Sequence, residues 1–239
     1  MKIEGRNAVL ELLKTDKTID KILLMNGMRD NESRSVINAI RSKGCKFQFV
    51  EKAIMDKETE TRRHQGFIAF VSDYVYADFD EILKKLQDKE DAFIVVLDGV
   101  EDPHNLGSIL RVSECAGVDG VIIGKRRSAQ VNETVMRVSE GSANHIDVAR
   151  VTNINNTIDA LKENNFWTYA LEIGGNDIYK TNLKGRIVIV VGGEDTGVNR
   201  LTKEKCDAII TIPMLGKVNS LNASVACGVA VFEALRQRL

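Results

Sequence analysis

The sequence predicts an α/β fold: a mostly parallel sheet in the larger C-terminal part of the chain, preceded by a small αβ domain. From residue 92 onward the apolar runs at 93–97, 121–123, 167–171, 187–191 and 208–212 are continuous rather than alternating. Strands covered on both faces read this way. Helical periods lie between them, around 105–116, 133–139, 154–164 and 200–206, with a last helix starting near Asn222. Strands alternating with helices build a parallel sheet. At 239 residues and 44% hydrophobic content the chain can bury a large core, as one domain or two.

The front of the chain reads in the same way on a smaller scale. Residues 7–13 make a short amphipathic helix, 19–25 a strand, 33–42 a helix ended by Gly44, 47–50 a second strand and 66–72 a third. Between 73 and 91 charged residues dominate, and Phe79, Ile82, Leu83 and Leu86 recur at helical spacing. That pattern predicts a linker carrying an exposed helix. The expected division is therefore 1–72, a linker at 73–91, and 92–239.

Composition narrows the function. A net charge of −1 gives no overall basic field, so any contact with nucleic acid must rest on local patches. Cys45, Cys115, Cys206 and Cys227 form no CxxC pair, which fits buried thiols in a reducing compartment better than disulfides or zinc. His64, His104 and His145 stand apart, with no metal-binding spacing near them. No leading segment resembles a signal peptide and no apolar run reaches a membrane span, so a cytoplasmic location is expected.

In open α/β sheets ligands bind beyond the carboxyl ends of the strands. Three unusual loops occupy such positions. The first opens Asp98-Gly-Val-Glu-Asp-Pro-His-Asn-Leu-Gly-Ser-Ile-Leu-Arg111, where Gly107 and Arg111 share a helix face. Gly107 there suggests a face cleared for a ligand, and an ion pair of Arg111 with Glu114 is the plainer alternative. The second is Val190-Val-Gly-Gly-Glu-Asp-Thr-Gly-Val-Asn-Arg200. Its paired glycines allow close approach to the backbone, and Glu194 can bind an amino or hydroxyl group or pair with Arg111. It is neither a P-loop nor a dinucleotide fingerprint. The third, from Ile212 through Pro213 to Ser224, offers Ser220, Asn222 and Ser224, with Ser220 or Asn222 able to cap the last helix.

Taken in order, Asp102-Pro-His-Asn-Leu-Gly-Ser-Ile-Leu-Arg111, Val191-Gly-Gly-Glu-Asp-Thr-Gly-Val198, and Ile212-Pro-Met-Leu-Gly216 with Ser220-Leu-Asn-Ala-Ser224 resemble the motifs of the SpoU/TrmH family of RNA ribose 2′-O-methyltransferases. Ile3-Glu-Gly-Arg-Asn-Ala-Val9 and His64-Gln-Gly-Phe67 are similar to the ends of the ribosomal-protein-like RNA-binding domain of the bacterial 23S rRNA guanosine 2′-O-methyltransferases. The resemblance implies a C-terminal trefoil knot, a homodimer formed through the catalytic domain, and S-adenosylmethionine held mostly by backbone. It places Gly192, Gly193, Ile212, Met214 and Leu221 at the cofactor. Arg111 is implied to act on the ribose hydroxyl, as base or as electrostatic stabiliser, with Asn105, Glu194, Ser220 and Asn222 positioning it and the ribose.

For RNA, the expected contacts are Arg6, Arg62 and Arg63 in the small domain and Arg126, within Lys125-Arg-Arg127, in the large one. The resulting expectation is S-adenosylmethionine-dependent methylation of a ribose, at guanosine in 23S rRNA, without a metal and away from membranes. The alternatives are a tRNA 2′-O-methyltransferase and an rRNA-binding or assembly protein that has lost catalysis.

Overall fold

A computed structural model describes every residue except Asp16, Glu60, Arg62, Asp195, Val218 and Asn219. The chain divides into two compact units, Met1–Tyr74 and Val75–Leu239.

The first unit runs β1 (Lys2–Glu4), α1 (Arg6–Leu13), β2 (Ile19–Met25), α2 (Asn31–Ser42), β3 (Phe47–Val50), α3 (Lys52–Glu58) and β4 (Phe67–Val71). Its four strands lie in the order β1-β4-β2-β3. Side chains point alternately to the two faces along β2, so Ile22 and Leu24 join Val9, Leu12, Val36 and Ile40 on one side of the sheet. Leu23 packs on the other side with Val50, Ile68 and Met55. The spacing of Val36, Ile37 and Ile40 buries one face of α2, whose start is fixed by the Asp30 carboxylate accepting from Ser33 N at 2.8 Å. Sequence pattern had given neither β1 nor α3. β1 has only three residues, and it exists as a strand because Lys2, Ile3 and Glu4 pair with Phe70, Ala69 and Ile68.

The second unit runs α4 (Phe79–Lys85), β5 (Phe93–Asp98), α5 (Pro103–Cys115), β6 (Gly120–Gly124), α6 (Glu133–Val138), β7 (Asp147–Val151), α7 (Ile154–Glu163), β8 (Trp167–Asp177), β9 (Ile187–Gly192), α8 (Arg200–Lys205), β10 (Ala208–Thr211) and α9 (Ala223–Arg238). The sheet order is β10-β8-β9-β5-β6-β7, and every pairing is parallel. Each residue of β5, β6 and β9 is buried, as their unbroken apolar runs require. The helix expected to stand exposed on a linker does not: Ile82 of α4 is 1% exposed and packs with Ile94, Ile122 and Ala149. Its polar neighbours mask that stripe in the composition. β7 also escaped the sequence reading, because Asp147-Val-Ala-Arg-Val151 lacks a long apolar run.

Gly107 serves packing rather than ligand access. A Cβ there would lie 2.7 Å from Val138 Cβ and 3.1 Å from Val135 O, so its absence lets α6 lie against α5. Nor are all four thiols buried. Burial pushes Cys227 up to about 12 and Cys206, despite a hydrogen bond with Thr168, also to about 12, whereas Cys115 is exposed. Among the described residues no helix is long and apolar enough to cross a membrane.

At the start of β10, Asp207 locks the register to β8. Its carboxylate accepts from Thr168 N and Oγ1, both at 2.8 Å, and pairs with Lys162 at 2.8 Å. Burial raises this carboxyl, but the bonds from Lys162 and Thr168 outweigh it and hold the group below its ordinary value. A depressed carboxyl stabilises the fold above the unfolded value of about 3.9 and loses that contribution as pH falls through the folded value. Asp207→Asn is thus expected to destabilise at pH 7 by about 1–3 kcal/mol, and its deficit relative to wild type should shrink towards pH 3 in urea titrations. Gly107→Ala should cost about 1–3 kcal/mol by overpacking; an unchanged urea midpoint would show that α6 has room to move.

Candidate active site

Strand order sets the place of the site. From β5 the chain lays β6 and β7 on one side, then returns to place β8, β9 and β10 on the other. The direction of winding reverses beside β5 and β9, where open sheets form a crevice beyond their carboxyl ends. The loops after β5, β9 and β10 all leave from that edge.

Side chains fasten those loops together. Asp98 closes β5, is 6% exposed, and accepts from Asn199 N at 2.9 Å and Asn199 Nδ2 at 2.7 Å. The buried Asn105 donates through Nδ2 to Glu194 Oε1 at 2.9 Å and accepts at Oδ1 from Asn222 Nδ2 at 2.9 Å. Asn222 Nδ2 also donates to Glu194 Oε1. Its Oδ1 meanwhile accepts from Ser224 N at 3.0 Å and Val225 N at 3.3 Å, so Asn222, not Ser220, caps α9. Asn105, Glu194 and Asn222, one from each motif, form a closed triangle.

The paired glycines admit the chain itself. A Cβ on Gly192 would lie 2.0 Å from Gly197 C, and one on Gly193 2.3 Å from Gly99 O. Gly193 N donates to Asp98 O at 3.1 Å and Gly197 N to Gly193 O at 2.9 Å. Loops two and one therefore cross backbone on backbone.

A further wall comes from β8. Its ladder with β10 pairs Ala170 with Ile209 and then Asn176 with Ile210, leaving 171–175 outside the ladder. Gly175 permits this, since a Cβ there would meet Ile209 O at 2.3 Å. The bulge carries Glu172, whose carboxylate accepts from Val198 N at 3.2 Å and faces Lys203 Nζ at 3.6 Å. Asp98 and Glu172 were missed as site residues. The Gly174-Gly175 pair inside a strand was the signal for the bulge.

These walls enclose a cavity of about 320 Å³. Gly192, Gly193, Ile212, Met214 and Leu221 all line it, with Glu194 and Ser220. Asn105 and Asn222 stand behind Glu194. Arg111 is not among the lining residues of this chain: its Nη1 lies 2.7 Å from Glu140 Oε1, with both side chains exposed. Neither expected partner of Arg111, Glu114 or Glu194, holds it. Glu140 has a φ of 48°, a left-handed conformation that costs a non-glycine residue about 1–2 kcal/mol, whereas an exposed ion pair returns about 0.2–1 kcal/mol.

In the first unit the Arg6 guanidinium is held by Asp30 at 3.1 Å and by Glu32. Arg63 is exposed, and Arg62 lies outside the described residues. His64 is buried: its Nδ1 accepts from Gly66 N at 3.0 Å, so Nε2 carries the proton and donates to Asp56 Oδ1 at 3.1 Å. Arg126 is exposed at the carboxyl end of β6, on the sheet edge that carries the cavity. Among the described residues no three His, Cys, Asp or Glu side chains are grouped to hold a metal ion.

Comparison with known proteins gives this geometry a family. Residues 92–232 match the SpoU rRNA methylase family, and residues 2–77 match the RNA 2′-O ribose methyltransferase substrate-binding domain. A Staphylococcus aureus protein named as a TrmH family tRNA/rRNA methyltransferase is 44% identical over 239 residues, covering 99% of this chain and 96% of its own. The fold is that of the SpoU methyltransferase AviRb from Streptomyces viridochromogenes, solved with AdoMet (TM-score 0.64, 21% identity, 100% of this chain and 90% of that one). A solved RNA 2′-O ribose methyltransferase aligns at TM-score 0.60 and 25% identity, over 100% of this chain and 88% of its own. With its catalytic and substrate-binding parts both matched, the chain belongs to the SpoU family of RNA methylases.

Proposed function

We propose that this chain transfers a methyl group from S-adenosylmethionine to the ribose 2′-oxygen of a guanosine in 23S rRNA, as a cytoplasmic homodimer. The observation that carries this reading is the Asn105–Glu194–Asn222 triangle beside the cavity, in a chain of the SpoU family. The residues fit the cofactor. Leu171, Ile212 and Leu221 offer apolar walls for an adenosine, Gly192 and Gly193 offer backbone, and Glu172 and Glu194 offer negative charge for a cationic ligand. S-adenosylmethionine supplies a methyl group on a positively charged sulfur. The AdoMet-bound AviRb structure lends support through the shared fold.

A ribose hydroxyl is a weak acid and a poor nucleophile. Arg111 is the group set against it, and because a guanidinium keeps its proton, its role is to stabilise the negative charge that grows on the oxygen as the hydroxyl proton passes to solvent water. The triangle fixes Glu194 and the start of α9, so that Ser220 and Leu221 keep their places around the reacting groups. With the cofactor bound, the apolar walls of Leu171, Ile212 and Leu221 would keep water from the reacting groups, a setting that favours the cancelling of opposite charges.

Arg111 reaches a cavity across the dimer. Supporting this, Val225 and Phe232, seven apart on α9, are 52% and 47% exposed, an apolar stripe suited to a second copy. α5, which bears Arg111, packs on α9 beside that stripe: Gly228 faces Val112 Cγ1. Knotting of the chain around the second and third loops is part of the proposal. RNA is gripped by Arg63 and Arg126, with Arg6 and Arg62 joining them. The name of the staphylococcal relative, which covers both tRNA and rRNA, supports a tRNA ribose as the second reading. A non-catalytic role has no such support, since it leaves the triangle without a purpose.

Arg111→Ala should lower methylation at least about 100-fold while calorimetry finds cofactor affinity within about twofold; a variant as active as wild type removes Arg111 from the reaction. Mixing Arg111→Ala with Glu194→Ala protomers should restore about a quarter of wild-type activity if each site draws on two chains, and none if each site is built from one. Mapping 2′-O-methylation in cells with and without the gene should find one guanosine lost from 23S rRNA. A loss confined to tRNA transfers the assignment to the second reading.

A further inference from the structure

The end of α6 carries a residue of the wrong type for its backbone. Gly141 N donates to Met136 O at 3.2 Å and Glu140 N to Arg137 O at 3.1 Å. This is a Schellman ending, and its left-handed position is one that glycine fills best. Here that position is Glu140, with φ 48°, and the glycine follows at φ 85°. The side chain does form an ion pair with Arg111, but the exposures of 49% and 66% mean that it returns less than the conformation costs. Stability therefore gives no reason for an acid at this position.

Packing does give one. Gly107 lets α6 close on α5 through Val138, one helical turn before Arg111. That contact sets the ending of α6 beside the guanidinium, and the left-handed turn brings the Glu140 carboxylate to 2.7 Å from Arg111 Nη1. We infer that Glu140 is a positioning residue. Its carboxylate fixes one edge of the Arg111 guanidinium through a charge-assisted hydrogen bond and leaves the other N–H groups for the ribose oxygen. An arginine on a long flexible stem otherwise has to be ordered in the transition state, at a cost in rate. The inference rests on the assignment of Arg111 above, and Glu140 accompanies Arg111 whichever chain's cavity the arginine serves.

The test compares full-length Glu140→Gly, Glu140→Gln, Arg111→Ala and the Glu140→Gly, Arg111→Ala double variant. Single-turnover methylation is measured with S-adenosylmethionine and total RNA from cells lacking the gene, alongside Tm and cofactor Kd. Glu140→Gly should raise the Tm by about 2–4 °C yet slow methylation at least about tenfold, with cofactor Kd within about twofold. Glu140→Gln, which keeps the acceptor oxygen, should recover part of the rate. In the Arg111→Ala background Glu140→Gly should slow methylation no further, while the gain in Tm remains. An undiminished rate in Glu140→Gly beside an inactive Arg111→Ala overturns the inference and leaves Arg111 in place. Loss of stability and rate together in Glu140→Gly overturns it too, as a merely structural role would produce that result. An active Arg111→Ala overturns the assignment of Arg111, and Glu140 with it.

Discussion

One carboxylate oxygen, Glu194 Oε1, receives amide protons from residues 89 and 28 positions away along the chain. Asn105 and Asn222 bond to each other as well, so none of the three can shift without breaking two contacts. Glu194 and Asn222 are exposed, so solvent screens the bonds to the carboxylate, whereas the buried amide of Asn105 would cost about 1–3 kcal/mol if left unpaired. These three side chains thereby tie the described parts of the loops after β5, β9 and β10 to one another. The cap that Asn222 gives α9 ties the longest helix of the second unit to the same point.

Beside that triangle main-chain segments cross at close range. A Cβ on Gly193 or Gly175 would come within 2.4 Å of a backbone atom of another segment, and one on Gly192 equally close to the returning turn of its own loop at Gly197. In a phosphate-binding loop the space beside a glycine belongs to the ligand; here the protein fills it with its own crossing strands. The cavity then lies on the outer side of those crossings, with amides and carbonyls already held in place. Residues with side chains line it as well, and two of them, Glu172 and Glu194, are carboxylates.

Much of the second unit was legible because burial on both faces leaves a plain mark: β5, β6 and β9 are unbroken apolar runs, and all three are fully buried strands. Elements whose identity depends on partners were not. β1 is three residues that become a strand only against β4, and α4 hides a core residue, Ile82, in a highly charged segment. The site divides along the same line. Loops marked by local chemistry, paired glycines and a helix cap, could be read directly. The bulge of β8 and the hold of Asp98 on Asn199 depend on registers and crossings that residue order does not reveal. Gly107 and the Gly192–Gly193 pair show the limit most clearly. Close approach was the right inference from the residue type, and the approaching group was the protein's own chain.

The charge distribution follows from the same economy. A chain of net charge −1 that handles RNA cannot rely on a broad positive field. It keeps cations in defined places with acids beside them: Arg6 with Asp30 and Glu32, and Arg111 with Glu140. Exposed pairs of this sort are weak, so a phosphate can compete for Arg6 without a large loss elsewhere. Under the proposed function, the acids hold each guanidinium in a set direction and reduce its attraction for RNA in general. Selection of a particular ribose then comes from where the cations are held.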